Sequence, residues 1–165
     1  MGPLTEKIFI QRIRDIIKQY KDNKSNYENE YYDVTLLFNC LLGLIVMPTN
    51  PIVNKTIGNL IDRDLNQDIK STVLSANDIK GETINIKLKE YINGLRNGIA
   101  HQELDVQSLF STDENNNITS INITGLTNGR NNIIKYQFNV NNGELLEKVI
   151  NEILSFLYPA VFNPG

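Results

Sequence analysis

The hydrophobic pattern of the chain is mainly helical. Apolar residues recur every three or four positions over Ile8–Tyr20, which predicts a first helix with Thr5 as its N-cap. The run "YYDVTLLFNCLLGLIVMP" predicts a second, largely buried helix that Pro48 ends. The weaker pattern over 52–78 favours one or two short helices, and the apolar stripe over Ile84–Ile99 predicts a third long helix.

The later stretches predict a β-hairpin followed by a last helix. "NITSINITG" and "NIIKYQFNV" alternate in the manner of strands, and Asn128 and Gly129 form a strong turn signal between them. Asn141 and Glu144 have the spacing of a cap for the last helix, which is expected to end at Pro159. The expected fold is therefore mainly α, a bundle of four to six helices with a small β-hairpin before the C-terminal helix.

The composition fits one compact domain over residues 1–165, since the 165 residues are 41% hydrophobic. The net charge of −3 does not favour a large, sequence-independent contact with nucleic acid, although a local basic cleft is compatible with it. The longest near-apolar run is shorter than the ~20 residues of a bilayer span, so no membrane association is expected. The single cysteine, Cys40, is interpreted as an inert core thiol of a cytoplasmic protein.

The one histidine of the chain, His101, lies just beyond the apolar stripe of the third long helix. At about 100° per residue, Arg96 lies near 80° from Leu88 and His101 near 220° from it. The stripe residues within about 40° of Leu88 are Ile84, Ile92, Leu95 and Ile99. His101 therefore points away from the stripe, which favours surface exposure over a core position. Asn97 shares the face of His101 and can orient its ring, whereas Arg96 lies about 140° from His101.

Two glycines, Gly94 and Gly98, accompany this face of the helix. Each costs about 1 kcal/mol relative to alanine inside a helix, and close approach of another helix is one structural reason for them. A second protomer can supply that approach. We therefore expect a twofold homodimer that buries the face shared by His101 and both glycines.

These residues carry a resemblance to a known family. Arg96-Asn97-x-x-x-His101 resembles the R-[N/D/H]-x3-H form of the Rx4-6H motif of the HEPN (higher eukaryotes and prokaryotes nucleotide-binding) superfamily. The upstream "DVTLLFNCLLGLIVMP" is similar to the apolar second helix of a small prokaryotic HEPN branch, so the likeness covers most of the chain. The resemblance implies a HEPN-like bundle, a homodimer with facing motifs, and metal-independent RNA cleavage without a cofactor.

The same resemblance implies a toxin or antiphage role, in which a neutralising antitoxin would be a further partner. One position departs from the family pattern. Leu104 stands three residues after His101, where HEPN toxins controlled by tyrosine adenylylation carry a tyrosine. Such control is therefore not expected for this chain.

The chemistry of RNA cleavage fits these residue types. Attack by the 2′-OH needs a base, an acid and a cation that stabilises the phosphorane charge. An imidazole titrates near pH 6.5 when unperturbed, so two facing copies of His101 could supply both protonation states. Arg96 would clamp the phosphate bidentately, and Asn97 would hold the ring or the phosphate.

Two alternatives stand beside this hypothesis. Arg96 could form an ordinary surface salt bridge. The whole chain could be a non-catalytic HEPN-like module that binds nucleotide, RNA or a partner protein in the same groove.

Other residues have simpler interpretations. Asp62–Asp68 resembles a calcium loop in spacing but lacks its glycine and terminal glutamate, so a solvated turn is favoured. No cluster of His, Cys and carboxylates has metal-ligand spacing. The remaining candidates could reach RNA or the groove, or could simply pack or solvate the surface: Tyr27, Tyr31, Tyr32, Glu30, Asp33, Arg130 and Lys135.

Overall fold

The structure is a computed structural model that describes residues 3–23, 31–46, 55, 57–59, 63–100, 110–114, 118–128 and 133–162. The long helices and the hairpin predicted from the sequence are all present among these residues. The named helices are α1 (Pro3–Asn23), α2 (Tyr31–Val46), α3 (Gln67–Ser71), α4 (Leu88–Ala100) and α5 (Gly143–Phe162). The named strands are β1 (Val73–Asp78), β2 (Phe110–Thr112), β3 (Ile118–Asn128) and β4 (Ile133–Val140).

The four strands form one antiparallel sheet in the order β1-β4-β3-β2. β3 and β4 make the predicted hairpin, with Gly125 opposite Tyr136. Asn128 was predicted in the turn, but it is the last residue of β3 and pairs with Ile133. β1 adds to β4 and β2 adds to β3 on the two sides of this hairpin. The expectation of a mainly α fold, a helical bundle with only a small hairpin, is therefore wrong.

The physical reason lies around β1, which falls inside the segment predicted to be helical. Its partner β4 comes much later in the chain, so the local pattern holds no sign of the pairing. The Ile84 N–H donates to the Ala76 carbonyl at 2.8 Å, which makes Ile84 part of the extended segment beside β1. α4 begins only at Leu88, where the Glu90 carboxylate accepts the Lys87 N–H at 2.7 Å. The apolar stripe over Ile84–Ile99 thus spans two elements.

Three predicted helix ends also differ from the structure. α1 already includes Thr5, so this residue is not its N-cap. Asn142 caps α5 instead of Asn141, since its Oδ1 accepts the Leu145 N–H at 2.7 Å. α5 continues through Pro159 to its end at Phe162, where the proline removes a single backbone donor close to the helix terminus.

One hydrophobic core joins the helices to a single face of the sheet. α4 packs on β3 and against α2, and α5 packs on α1 and α2. Most buried residues lie on the predicted stripes and strand faces. The largest fully buried side chains are those of Tyr91, Tyr136, Phe138, Leu37, Leu41, Leu44, Ile45, Ile69, Leu88, Ile92, Leu95 and Ile121. The other face of the sheet carries polar side chains, such as those of Asn122 and Asn139, which hydrogen-bond each other at 2.6 Å.

None of the helices in the described ranges combines the length and the apolar character that crossing a bilayer requires.

Candidate functional site

α4, the helix that begins the predicted motif, is packed on two sides. Leu88, Ile92 and Leu95 are buried in the core, as the apolar stripe predicts. The side that carries Gly94 and Gly98 lies against β3 and β4. Contacts on both sides fix the direction of the helix relative to the sheet.

Three glycines, Gly94, Gly98 and Gly125, form a notch around the phenol of Tyr136, and we call this the glycine notch. A Cβ added to Gly98 would overlap the Ile123 side chain and lie 3.1 Å from the Tyr136 Oη. A Cβ added to Gly125 would lie 2.8 Å from the same oxygen and 3.3 Å from the Gly98 Cα. Helix and strand therefore approach each other at backbone distance, which residues with side chains would prevent.

The glycines of α4 thus serve a contact within the chain. β3 and β4 cover the face that carries Gly94 and Gly98. The expectation that a second protomer packs against these glycines is therefore wrong, because they pack against the sheet of their own chain. His101, which is expected to share this face, lies outside the described residues.

Tyr136 ties the sheet to α4 inside the glycine notch. Its side chain is 1% exposed, and its hydroxyl donates a hydrogen bond to the Gly94 carbonyl. Burial raises the pKa of Tyr136 to about 12, although a hydrogen bond with the Gly98 backbone opposes that rise. The phenol is therefore protonated at neutral pH and acts as a donor.

Asn97 makes a second tie from the same helical turn. Its Nδ2 donates to the Leu126 carbonyl of β3 at 3.3 Å. The amide of Asn97 therefore has a structural contact with the sheet in addition to the roles predicted for it. Its orientation of the His101 ring stays a prediction, because His101 is not among the described residues.

Arg96 lies in the turn between Gly94 and Gly98, directly beside Asn97. Its side chain is partly exposed, and within the described part of the chain it makes no hydrogen bond or ion pair. Arg96 therefore has no partner among these residues for the surface salt bridge that was the alternative interpretation. A guanidinium is always charged and carries five donors in a fixed fork, so an oxyanion is its natural ligand.

Comparison with known proteins identifies the family. The family model described as HEPN pEK499 p136 matches residues 1–163. The chain belongs to this HEPN family. Its predicted membership of the HEPN superfamily is therefore confirmed over nearly the whole chain. No curated protein and no solved structure matches it.

The acidic turn of this HEPN chain is held by surface ion pairs. Asp64 accepts a hydrogen bond from Lys87 Nζ at 2.5 Å, which lowers the pKa of the Asp64 carboxyl. Asp68 lies 3.3 Å from Lys148 Nζ. No group of three or more His, Cys, Asp or Glu residues within the described ranges could hold a metal ion.

Among the other predicted candidates of the HEPN chain, the structure describes Cys40 and Lys135. Cys40 is buried as expected, and burial raises the pKa of its thiol. Lys135 is exposed on β4, in the row that pairs with Leu126 of β3 and Asn77 of β1. Several candidates lie outside the residues or side chains that the structure describes: Tyr27, Glu30, Tyr31, Tyr32, Asp33, Asp62 and Arg130.

Sequence reasoning missed Tyr136, because the sequence pattern holds only part of the signal for it. Alternation along "NIIKYQFNV" places Tyr136 on the same strand face as Phe138. The register of the structure places Gly125 opposite Tyr136, whereas a two-residue turn at Asn128-Gly129 would pair Gly125 with Asn132. A glycine opposite a tyrosine in a hairpin, together with Gly94 and Gly98 at i, i+4 on a helix, indicates a close approach of helix and sheet around a ring.

Proposed function

We propose that this HEPN chain is a metal-independent endoribonuclease of the toxin or antiphage defence type, acting in the cleft of a homodimer. Arg96 carries the proposal. In a chain of net charge −3, it is a partly exposed cation without a partner in the described residues. Two contacts to the sheet hold its helical turn, which is the support that a phosphate clamp needs.

The proposed reaction uses the RNA's own 2′-hydroxyl as the nucleophile. The O2′ attacks phosphorus and the bond to O5′ breaks, which leaves a 2′,3′-cyclic phosphate and a 5′-hydroxyl. His101 of one protomer takes the 2′-proton, and the partner subunit's His101 gives a proton to the leaving O5′. Arg96 stabilises the charge on the phosphorane oxygens, and Asn97 holds the His101 ring or the phosphate.

Cleavage is expected to survive removal of divalent metal, because every proposed group belongs to the protein. Purified protein should cut a labelled RNA equally well in EDTA and in Mg²⁺. The fragments should carry 2′,3′-cyclic phosphate ends, which acid treatment and mass spectrometry would identify. Cleavage that EDTA abolishes and Mg²⁺ restores would contradict this mechanism and indicate metal-assisted hydrolysis instead.

We propose a twofold homodimer because each chain has one histidine, whereas the reaction needs a base and an acid. Light scattering at micromolar concentration should give twice the 18.8 kDa mass of one chain. A mixture of active chains with His101→Ala chains should lose cleavage in its mixed dimers. A protein that cleaves RNA as a monomer would rule out the two-histidine mechanism.

A cytoplasmic toxin of this kind would need a protein that neutralises it, and we include such an antitoxin partner in the proposal. Expression of the wild-type chain in a bacterial host should slow growth, whereas His101→Ala should not. A wild-type chain that binds RNA tightly without cutting it would instead identify a binding module on the same groove.

A further inference from the structure

One turn of α4 is tied to the sheet from both strands of the hairpin. The Tyr136 hydroxyl of β4 donates to the Gly94 carbonyl, and the Leu126 carbonyl of β3 accepts from Asn97. Arg96 lies between Gly94 and Asn97, the two residues of α4 that make these hydrogen bonds. The neighbouring residue Leu95 is fully buried and points into the core. The position of the Arg96 side chain therefore depends on where this turn sits on the sheet.

The Gly94 carbonyl is also the acceptor that the Gly98 N–H uses in a regular α-helix. The Tyr136 hydroxyl thus meets α4 at the i, i+4 hydrogen bond that spans Arg96 and Asn97. A hydroxyl that donates to a carbonyl of this ladder fixes where the helical turn lies on the sheet. The Tyr136 hydroxyl can reach the helix backbone because the notch is lined by glycines. Cβ atoms at Gly98 and Gly125 would lie only 3.1 and 2.8 Å from the Tyr136 Oη.

We propose that Tyr136 is a positioning residue of the nuclease site. Its hydroxyl holds the α4 turn at the position on the sheet from which Arg96 reaches the scissile phosphate. This inference rests on the ribonuclease activity proposed above. Tyr136 itself is 1% exposed and does not touch RNA. Its effect on cleavage passes through the backbone of Gly94 and the turn that follows it.

The chain offers a matched control in Tyr91, which is also buried and lies on α4. The Tyr91 hydroxyl hydrogen-bonds the Thr72 Oγ1 at 2.7 Å, at the junction of α3 and β1 and one helical turn before Gly94. Tyr136→Phe and Tyr91→Phe each remove one buried hydroxyl and keep the ring. Both should lower the melting temperature by a similar amount, about 2–4 °C.

Only Tyr136→Phe should change the catalytic step. We expect its kcat on a labelled RNA to fall by about tenfold or more with little change in KM, because a small misplacement of a clamp costs transition-state contacts. Tyr91→Phe should keep the wild-type kcat. Amide chemical shifts should change over residues 94–98 in Tyr136→Phe and around Thr72 in Tyr91→Phe.

A second variant tests the same contact without removing the hydroxyl. Gly125→Ala pushes on the Tyr136 Oη from the strand side and should reproduce the fall in kcat, even if Tyr136→Phe folds poorly. Wild-type kcat in folded Tyr136→Phe or Gly125→Ala protein would overturn the positioning role and leave the ribonuclease intact. A wild-type chain that cleaves no RNA would overturn the ribonuclease itself, and the positioning role with it.

Discussion

Arg96→Ala is expected to reduce RNA cleavage by at least about a hundredfold, the cost of removing one preorganised transition-state donor. The melting temperature should hardly move, because the side chain is partly exposed and has no partner in the described residues. Arg96→Lys should restore cleavage only in part, since a point charge does not reproduce the planar fork. His101→Ala should reduce cleavage by about 10²–10⁴-fold through loss of proton transfer.

The neighbouring residue Leu95 provides the control for these variants. Leu95 is fully buried, so Leu95→Ala should cost about 2–5 kcal/mol of unfolding free energy and affect cleavage only through folding. Single-turnover cleavage of a labelled RNA, measured beside thermal melts, separates the two patterns. Full activity in a folded His101→Ala protein would end the ribonuclease proposal and favour the binding module.

Gly98→Ala is expected to destabilise the protein by about 1–3 kcal/mol, as overpacking of a close contact does. The new Cβ would overlap the Ile123 side chain and lie 3.2 Å from the Thr124 carbonyl. Because Ile123 is fully buried, it has no room to move aside, and α4 must shift away from the sheet. This loss should appear even though alanine favours a helix by about 1 kcal/mol over glycine.

Gly58 is the matched control for that prediction, since a Cβ there would meet no atom within 4 Å. Gly58→Ala should leave the stability unchanged or raise it slightly. Urea unfolding of both variants gives the comparison. Equal stability of Gly98→Ala and Gly58→Ala would show that α4 does not approach β3 at backbone distance.

The elements with a strong local period were predictable from the sequence. The stripes of α1, α2 and α5 and the alternation of β3 and β4 each lie within one stretch of chain. The angle of Arg96 away from the core stripe also follows from helix geometry, and the structure finds its side chain partly exposed.

The rest depends on partners that are distant in sequence. β1 is a strand because β4 pairs with it, and Ile84 leaves the helix because the Ala76 carbonyl takes its N–H. Gly94 and Gly98 indicate a close neighbour of the helix. Helix periodicity does not specify whether that neighbour is a second protomer or the chain's own sheet. The Tyr136 contact with Gly94 and the Asn97 contact with Leu126 both depend on how β3 and β4 pack against α4, which the sequence pattern does not specify.

The order of these elements along the chain has a consequence for synthesis. α4, with Arg96, leaves the ribosome before β3 and β4, and the glycine face of α4 has no sheet to pack on until then. β1 likewise cannot pair until β4 has been synthesised. The sheet therefore forms through contacts of long sequence separation, which form slowly. A chain released before Leu126 therefore carries Arg96 on a helix without either of the two hydrogen bonds to the sheet. Prematurely terminated products that end before Leu126 would thus lack both contacts on which the proposed phosphate clamp depends.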